Sequence, residues 1–263
     1  MYPGLCGRRG RGGALGVESG GMERRLSVGE TLSEVFRIYR EQAGVLLPVA
    51  FWLFLIVAVV NGLTEGNLSL FWLGIVVSLA VGTLYQGMVV ELVRDVQDGR
   101  LDSSIGELMR SVLPVLGPLI GAGILAGIGV AAGFFLLIVP GLILLTMWAV
   151  IAPVIVIERR GVFDAFGRSR QLVKDHGWPV FGTVVVAFLI AFLAGIIFIA
   201  IASSIADGPI VRIVFSALAS TITAPIEALV ASVLYFRLLA IKGAAAPAAA
   251  PPSAPQQPGD GLG

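Results

Sequence analysis

The polar and apolar positions of this chain fall into long alternating blocks. Short charged segments with a helical period lead into apolar runs, and a run of about 20 residues is enough to cross a bilayer. In the first block Leu32, Val35, Phe36 and Tyr39 recur at i, i+3, i+4 and i+7, while Glu34, Arg37 and Arg40 project elsewhere, which predicts an amphipathic helix. Ser27 precedes it with Glu30 three residues on, the spacing of a capping box. Apolar runs then cover about 44–62 and 68–90, joined by the turn segment NGLTEGN. Pro48 falls in the opening turns of the first run, where a missing N–H costs least. The second run carries Gly74, Ser78 and Gly82 at intervals of four, a face of small residues that lets another helix come close, and it ends in Glu91, Arg94, Asp95 and Asp98.

The pattern then repeats. Residues 102–112 read as a second surface helix, with Glu107 and Arg110 in the register of Glu34 and Arg37. The apolar stretch from Leu113 to Ile157 is too long for one span and suits two, about 113–138 and 142–157. Val139, Pro140 and Gly141 supply turn chemistry between them, and Pro153 predicts a kink in the second. The third span holds the pairs Gly117/Gly121, Gly123/Gly127 and Gly129/Gly133, each four apart, which predicts close helix approach. A third surface helix follows, with Arg168 in the repeated arginine position, then spans at about 179–203 and 213–236, turned at Ala206-Asp207-Gly208-Pro209. The expectation is an all-α polytopic membrane bundle of six spans with amphipathic surface helices, organised as three units of one surface helix plus two spans, a repeat carried by pattern more than by identity.

Composition supports this reading: 57% hydrophobic and 13% charged residues exclude an ordinary soluble domain and predict an integral membrane protein. A net charge of +1 points to no nucleic-acid partner. A single cysteine, Cys6, and a single histidine, His176, exclude a disulfide framework and a Cys/His metal cluster within the chain, and no cofactor is expected. His176, beside Trp178, reads as an interfacial anchor. Residues 1–25 are Gly- and Arg-rich and lack the apolar run of a signal peptide, so they read as a disordered leader, with Met22 an alternative start and Cys6 an improbable lipidation site. Residues 26–242 form the membrane domain, and 243–263, rich in Ala and Pro, read as a disordered tail. Lysine occurs only at 174 and 242 while arginine abounds, a bias of GC-rich coding that hints at a bacterial source. With both termini and the two long polar connections placed in the cytoplasm, Arg212 is the one basic residue left outside, so the positive-inside rule sets six spans with N and C termini cytoplasmic.

Glu227 is the ionisable residue set deep in a span. It lies about 15 Å along the helix from Arg237 at 1.5 Å per residue, too far for a direct pair. It reads either as a proton or cation relay or as a hydrogen-bond partner of a neighbouring helix. Pro225, just before it, predicts a bend. Glu91, Glu158 and Arg237 stand at the cytoplasmic ends of spans, where Arg237 is expected to pair with either glutamate. Arg37, Arg110, Arg159, Arg160, Arg168, Arg170 and Lys174 are candidates for lipid-phosphate or partner contacts, or simply for orienting the spans. No phosphate loop, HExxH or GxSxG motif is present and no catalytic residue is assigned.

Three segments carry a resemblance: LSVGETLSEVFRIYREQAGVLLP, IVPGLILLTMWAVIAPVIVIERRGVFDAFGRSRQLVKDHGWPVFG and APIEALVASVLYFRL. Its most specific residues are Pro140-Gly141, Glu158, Ala165, Arg168-Ser169, Leu172, Trp178, Pro225, Tyr235 and Arg237. Over about 26–241 the chain resembles the six-span membrane-domain family named after the membrane portion of certain bacterial glycerophosphoryl diester phosphodiesterases, whose stand-alone members are largely uncharacterised. The resemblance implies an integral membrane module and no phosphodiesterase activity, because the catalytic barrel's residues have nothing here to map onto. Glu227 departs from that pattern. The expectation is therefore a non-enzymatic protein of the bacterial cytoplasmic membrane that acts at the lipid surface or scaffolds a membrane-protein partner; the alternative is a small permease or ion-coupled transporter using Glu227.

Overall fold

The computed structural model describes residues 26–99, 104–205 and 208–244, all helix and short connections. The expected leader with Cys6 and Met22, the tail beyond Ala244 and part of the 206–209 turn lie outside the described residues. In chain order the helices are α1 (Val28–Glu41), α2 (Ala43–Thr64), α3 (Leu68–Gln97), α4 (Ile105–Val112), α5 (Leu116–Leu136), α6 (Ile138–Met147), α7 (Ile151–Glu158), α8 (Val162–Val173), α9 (Gly177–Ile205) and α10 (Pro209–Ala244), with a 3-10 turn at Leu113–Val115 between α4 and α5. Six helical stretches are long and apolar enough to cross a membrane: Ala43–Thr64, Ser69–Gln97, Ile105–Leu136, Ile138–Glu158, Gly177–Ile205 and Pro209–Gly243. The chain is a multi-pass membrane protein. The three short helices α1, α4 and α8 gather at one end, the base, where the charges sit; the α2–α3, α5–α6 and α9–α10 connections form the far end.

The last helix organises the bundle. α10 packs on α1, α2, α3, α7, α8 and α9, and its buried run from Ala228 to Tyr235 crosses the centre of the core. Against it lie Tyr85 to Val93 of α3 and the whole of α7, in which Ile151, Ala152, Pro153, Val154, Ile155 and Val156 are all buried. Packing is tight near the base and loose beyond it. Trp72 of α3, Phe135 of α5 and Ile199 of α9 are 66%, 92% and 71% exposed, and many neighbours at the same depth are similar. A soluble protein does not leave so continuous an apolar girdle bare, whereas lipid tails cover it at no cost.

The surface helix α1 is amphipathic as its period predicts, but its inward face is rotated. Thr31, Val35 and Ile38 are buried, while Phe36 is 38% exposed. The capping box expected at Ser27 is not formed: Ser27 makes no side-chain cap, its carbonyl accepts from the Thr31 hydroxyl at 2.8 Å, and Glu30 faces Arg237. Its reciprocal geometry appears instead at α4, where the Ser104 hydroxyl accepts from the Glu107 N–H at 3.3 Å and the Glu107 carboxylate accepts from the Ser104 N–H at 2.9 Å.

Three boundaries differ from the sequence reading for packing reasons. The chain turns at Leu137, which is extended, so Val139, Pro140 and Gly141 lie in the first turn of α6. Proline is harmless there because the first four N–H groups have no intrahelical partner. Gly141 is required by contact: a Cβ on it would meet the Phe134 ring at 2.6 Å, and one on Gly133 would meet the Gly141 Cα at 2.9 Å. Of the other expected small-residue positions, Gly117, Gly127 and Gly82 have open space where a Cβ would go. The fourth span is broken at Trp148–Val150, ahead of Pro153, which lies in the first turn of α7. The break exposes a carbonyl, and the Ser169 hydroxyl of α8 donates to Met147 O at 2.8 Å to satisfy it, while Trp148 packs edge-on against Phe166 at 4.9 Å. Finally, α3 runs on to Gln97 and α10 to Ala244, so both project past the apolar zone into the base, and Gly243 continues α10 rather than opening the tail.

Candidate functional site

The charges of the base form three interhelix clamps. In the first, Arg237 of α10 reaches α1: its Nη2 and Nε donate to Glu34 Oε2 at 2.8 and 3.0 Å, and Nη2 also donates to the Glu30 carbonyl at 3.1 Å. The expected pairing of Arg237 with Glu91 or Glu158 is therefore corrected. Glu34 is one helix away in space though about two hundred residues away in sequence, a neighbour set by the α1–α10 packing. In the second clamp, Glu91 is buried at 6% exposure and paired with Arg159, whose Nη2 lies 3.2 Å from Oε1 and whose Nη1 donates to the Ser111 carbonyl at 2.8 Å, tying α3, α4 and the end of α7 together. Arg159 can turn that way because it caps α7 in the left-handed region at φ 53°. In the third, the Glu158 carboxylate accepts from Arg160 Nε at 2.6 Å, from Arg168 Nε at 2.9 Å and from the Tyr235 hydroxyl at 3.2 Å, joining α7, α8 and α10.

Smaller links close the ring. Lys242 donates to the Gln171 carbonyl and lies 3.7 Å from Asp175. Gln97 donates to Glu34 at 3.3 Å. Well above the ring on α10, the Tyr39 hydroxyl donates to the Ile222 carbonyl at 3.4 Å, and burial pushes the Tyr39 phenol above its ordinary value, so it stays a donor. His176 of the α8–α9 connection is half-buried with Nδ1 unpartnered, and Trp178 beside it is 84% exposed.

The seven basic residues expected to meet lipid or a partner thus separate into two sets. Arg159, Arg160 and Arg168 are committed to Glu91 and Glu158, and Arg37 pairs along its own helix with Glu41 at 2.9 Å. Arg110, Arg170 and Lys174 are exposed and make no close ion pair or hydrogen bond among the described residues, although Arg110 lies near enough to Glu107 to interact with its charge. On α8 the exposed stripe is Phe163, Arg170 and Lys174, at i, i+7 and i+11, with Phe163 79% exposed; the opposite stripe, Ala165, Ser169, Leu172 and Val173, is buried.

Glu227 is not in this ring. Its exposed side chain opens into a cleft between α2, α3 and α10 of about 380 Å3, lined by Phe54, Ser78, Thr83, Tyr85, Gln86 and Thr223 among others. The interhelical hydrogen bond weighed for it is not made: the carboxylate has no hydrogen-bond partner among the described residues. The companions Ser78, Gln86 and Thr223 are scattered over two helices and give no signal in sequence, although Ser78 and Gln86 lie on one face of α3 eight residues apart. At the far end of the same groove a wider cavity of about 890 Å3 is lined by Asn61, Thr64, Glu65, Asn67 and Phe71, and it shares Ser78 and Leu79 with the inner cleft. Asn61 Nδ2 donates to Ser78 Oγ at 3.2 Å across α2 and α3, and Arg212 bridges the mouth to Glu65 at 2.7 Å.

Among the described residues no group of three His, Cys, Asp or Glu side chains is placed to hold a metal ion. Comparison with family models, with curated proteins and with solved structures finds no match for this chain. The class that the fold defines is a six-span helical membrane protein with a charged, helix-covered base.

Proposed function

We propose that this chain is a non-enzymatic protein of the bacterial cytoplasmic membrane, with both termini and the charged base in the cytoplasm, that holds anionic lipid headgroups at that base and scaffolds a membrane-protein partner there. The orientation rests on the distribution of Lys and Arg, of which, among the described residues, only Arg212 lies at the far end. The observation that carries the lipid reading is the outer stripe of α8. Phe163, Arg170 and Lys174 form an aromatic and basic face on which neither basic residue makes an ion pair or hydrogen bond among the described residues, beside the exposed Trp178, which is the composition of a helix lying in the headgroup region. The clamped arginines shape the base, and the unclamped residues on it are free to meet phosphate. The resemblance to the membrane-domain family is consistent with this reading and adds no activity to it.

The test is lipid retention by the purified full chain. Native mass spectrometry in neutral detergent with added phosphatidylglycerol or phosphatidylcholine should show preferential retention of phosphatidylglycerol. The double reversal Arg170→Glu with Lys174→Glu should reduce it by roughly thirtyfold, from about 1 kcal/mol per basic residue near an anionic surface. Equal retention of the two lipids, or no change in the double variant, would remove the support for this reading.

The second reading is a small permease or ion-coupled transporter, favoured by one observation, the unpartnered Glu227 in its cleft. Solute or proton flux in reconstituted vesicles that survives Glu227→Gln unchanged would leave that reading without its central residue.

A further inference from the structure

We infer that the cleft around Glu227 is a binding site for a small organic cation, a protonated amine or quaternary ammonium. The inference does not rest on the lipid reading or on transport, since binding to the cleft is defined whether or not the ligand crosses the membrane.

Three features of the lining select this chemistry. First, any charge in the lining is of one sign: Glu227 is its one acidic side chain, and no Lys, Arg or His is among the described lining residues. Second, three of the four serine and threonine hydroxyls of the lining turn their protons away from the cleft. Thr83 Oγ1 donates its hydrogen to Leu79 O at 2.7 Å, Thr223 Oγ1 to Ala219 O at 3.0 Å and Ser78 Oγ to Gly74 O at 2.7 Å. A hydroxyl has one proton and two lone pairs, so a side chain bonded back onto its own helix presents acceptor oxygen to the space beside it. The lining thus offers the Glu227 carboxylate and the Thr83 and Thr223 oxygens as acceptors against the Gln86 amide and the Ser220 hydroxyl as donors, a balance that suits a ligand bringing donors or positive charge.

Third, the size and the aromatic wall favour an organic cation over a bare metal ion. About 380 Å3 holds on the order of a dozen waters at about 30 Å3 each, and lies within the range of small-molecule pockets. A dehydrated alkali ion needs oxygens converging at a short distance, which a space this wide does not provide. Phe54 and Tyr85 line the same cleft as an edge-to-face pair with ring centroids 5.5 Å apart. An ammonium group set between a carboxylate and aromatic faces gains both Coulomb and cation–π attraction.

Position supports occupancy. Glu227 lies about 15 Å above Arg237 at 1.5 Å per residue, close to the middle of a hydrocarbon core of about 30 Å. A carboxylate at that depth without a hydrogen-bond partner is costly, and intramembrane ionisable groups face wet cavities or ligand paths. Here the path is visible: the far-end cavity meets the inner cleft at Ser78 and Leu79, while towards the base Tyr85 is buried, its hydroxyl 3.4 Å from Leu46 O, and closes the cleft.

The experiment is isothermal titration of the purified full chain in neutral detergent with tetramethylammonium chloride, tetraethylammonium chloride, sodium chloride and sodium acetate. Saturable binding of an ammonium ion and none of acetate is expected. Glu227→Gln should weaken it by about thirtyfold, the effect of losing one desolvated charge partner. Phe54→Leu should weaken the ammonium ions several-fold with the carboxylate in place. Thr223→Val, which keeps the shape and removes one acceptor, is the second probe should Glu227→Gln not purify as a single species, and a several-fold loss is expected from it. No binding of either ammonium ion to the wild-type chain, unchanged binding in Glu227→Gln or Thr223→Val, or binding of sodium alone would each overturn the inference.

Discussion

The α1–α10 clamp can be dissected quantitatively. Arg237 and Glu34 are one-quarter and one-fifth exposed, at 25% and 21%, with two N–H groups converging on a single carboxylate oxygen at 2.8 and 3.0 Å. At an effective dielectric of about 20, two unit charges about 3 Å apart attract by roughly 5 to 6 kcal/mol. Desolvation and side-chain ordering offset most of this. Exposed pairs net about 0 to 1 kcal/mol, whereas removing one partner of a fully buried pair costs about 3 to 5 kcal/mol. Partial exposure places Arg237→Gln between these, at about 2 kcal/mol. For a chain of this length that is a fall of roughly 4 to 8 °C in Tm.

The geometry also predicts an asymmetry. In Glu34→Gln the guanidinium keeps the Glu30 carbonyl at 3.1 Å and the Glu30 carboxylate at 3.4 Å. In Arg237→Gln the Glu34 carboxylate is left with Gln97 at 3.3 Å and Arg37 at 4.0 Å. The arginine substitution should therefore cost more than the glutamate one. The assay is a double-mutant cycle, the two single variants and the double variant, each unfolded thermally in one neutral detergent and followed by intrinsic fluorescence. A coupling below about 0.5 kcal/mol, no more than distant sites show by chance, or a larger loss from Glu34→Gln than from Arg237→Gln, would refute the argument.

Other consequences follow from the packing. Gly141→Ala and Gly133→Ala should each destabilise the α5–α6 hairpin by about 1 to 3 kcal/mol, since the new methyl meets Phe134 or the Gly141 backbone; Gly117→Ala, where space is open, should leave Tm unchanged or slightly raised, and equal losses at all three positions in a thermal melt would contradict the contact. Ser169→Ala leaves the Met147 carbonyl unsatisfied inside the α6–α7 break and should cost about 1 to 3 kcal/mol, whereas Ser203→Ala, whose hydroxyl bonds within its own helix near the far end, should be near neutral in the same assay. Tyr235→Phe removes one of the donors to Glu158 while both arginines stay, so a loss of about 1 kcal/mol is expected, and a loss as large as that of Arg168→Gln would show that the phenol has a further role.

How much of this was legible in the sequence depends on the range of the interaction. The six spans, the three surface helices and the segregation of charge are local properties of composition and period, and they read directly from the chain. The failures are contacts between distant segments. Nothing near Arg237 names Glu34, because that pairing exists only once α1 and α10 are packed. The capping box went to Ser104 and not Ser27 because Glu30 faces Arg237, a competition that spacing alone does not register. Pro140 and Gly141 looked like a turn because their chemistry suits one, yet the turn fell at Leu137 and the glycine serves the close approach of α6 to Phe134. Several residues singled out in the sequence come together at the base: Glu158, Arg168 and Tyr235 form one clamp, Ser169 seals the α6–α7 break, and Ala165 and Leu172 face the core. They describe the architecture of the base, and the cleft lined by Ser78, Gln86 and Thr223 lies apart from them.

That separation has a mechanical consequence. The base is held by charge clamps joining α1, α3, α4, α7, α8 and α10, and the buried core is concentrated beside it. Towards the far end polar links are few: Ile213 of α10 packs on Gly62 of α2, α2 and α3 are joined by the Asn61–Ser78 hydrogen bond, and α10 is tied to them by the exposed Arg212–Glu65 pair. An exposed pair of this kind contributes about 0 to 1 kcal/mol, so spreading α10 from the α2–α3 hairpin at the far end breaks apolar packing and one weak ion pair, whereas opening the base breaks several charge clamps. The cleft of Glu227 lies between the two regimes, with a rigid floor and compliant walls. Access from the far side therefore needs only local movement of α2, α3 and α10, while access through the base would require breaking several clamps at once. Hydrogen exchange should report this directly: amides of α10 from 210 to 222 should exchange faster than those from 228 to 238, and Arg212→Gln should widen the difference. Uniform protection along α10 would show that the far end is held as firmly as the base.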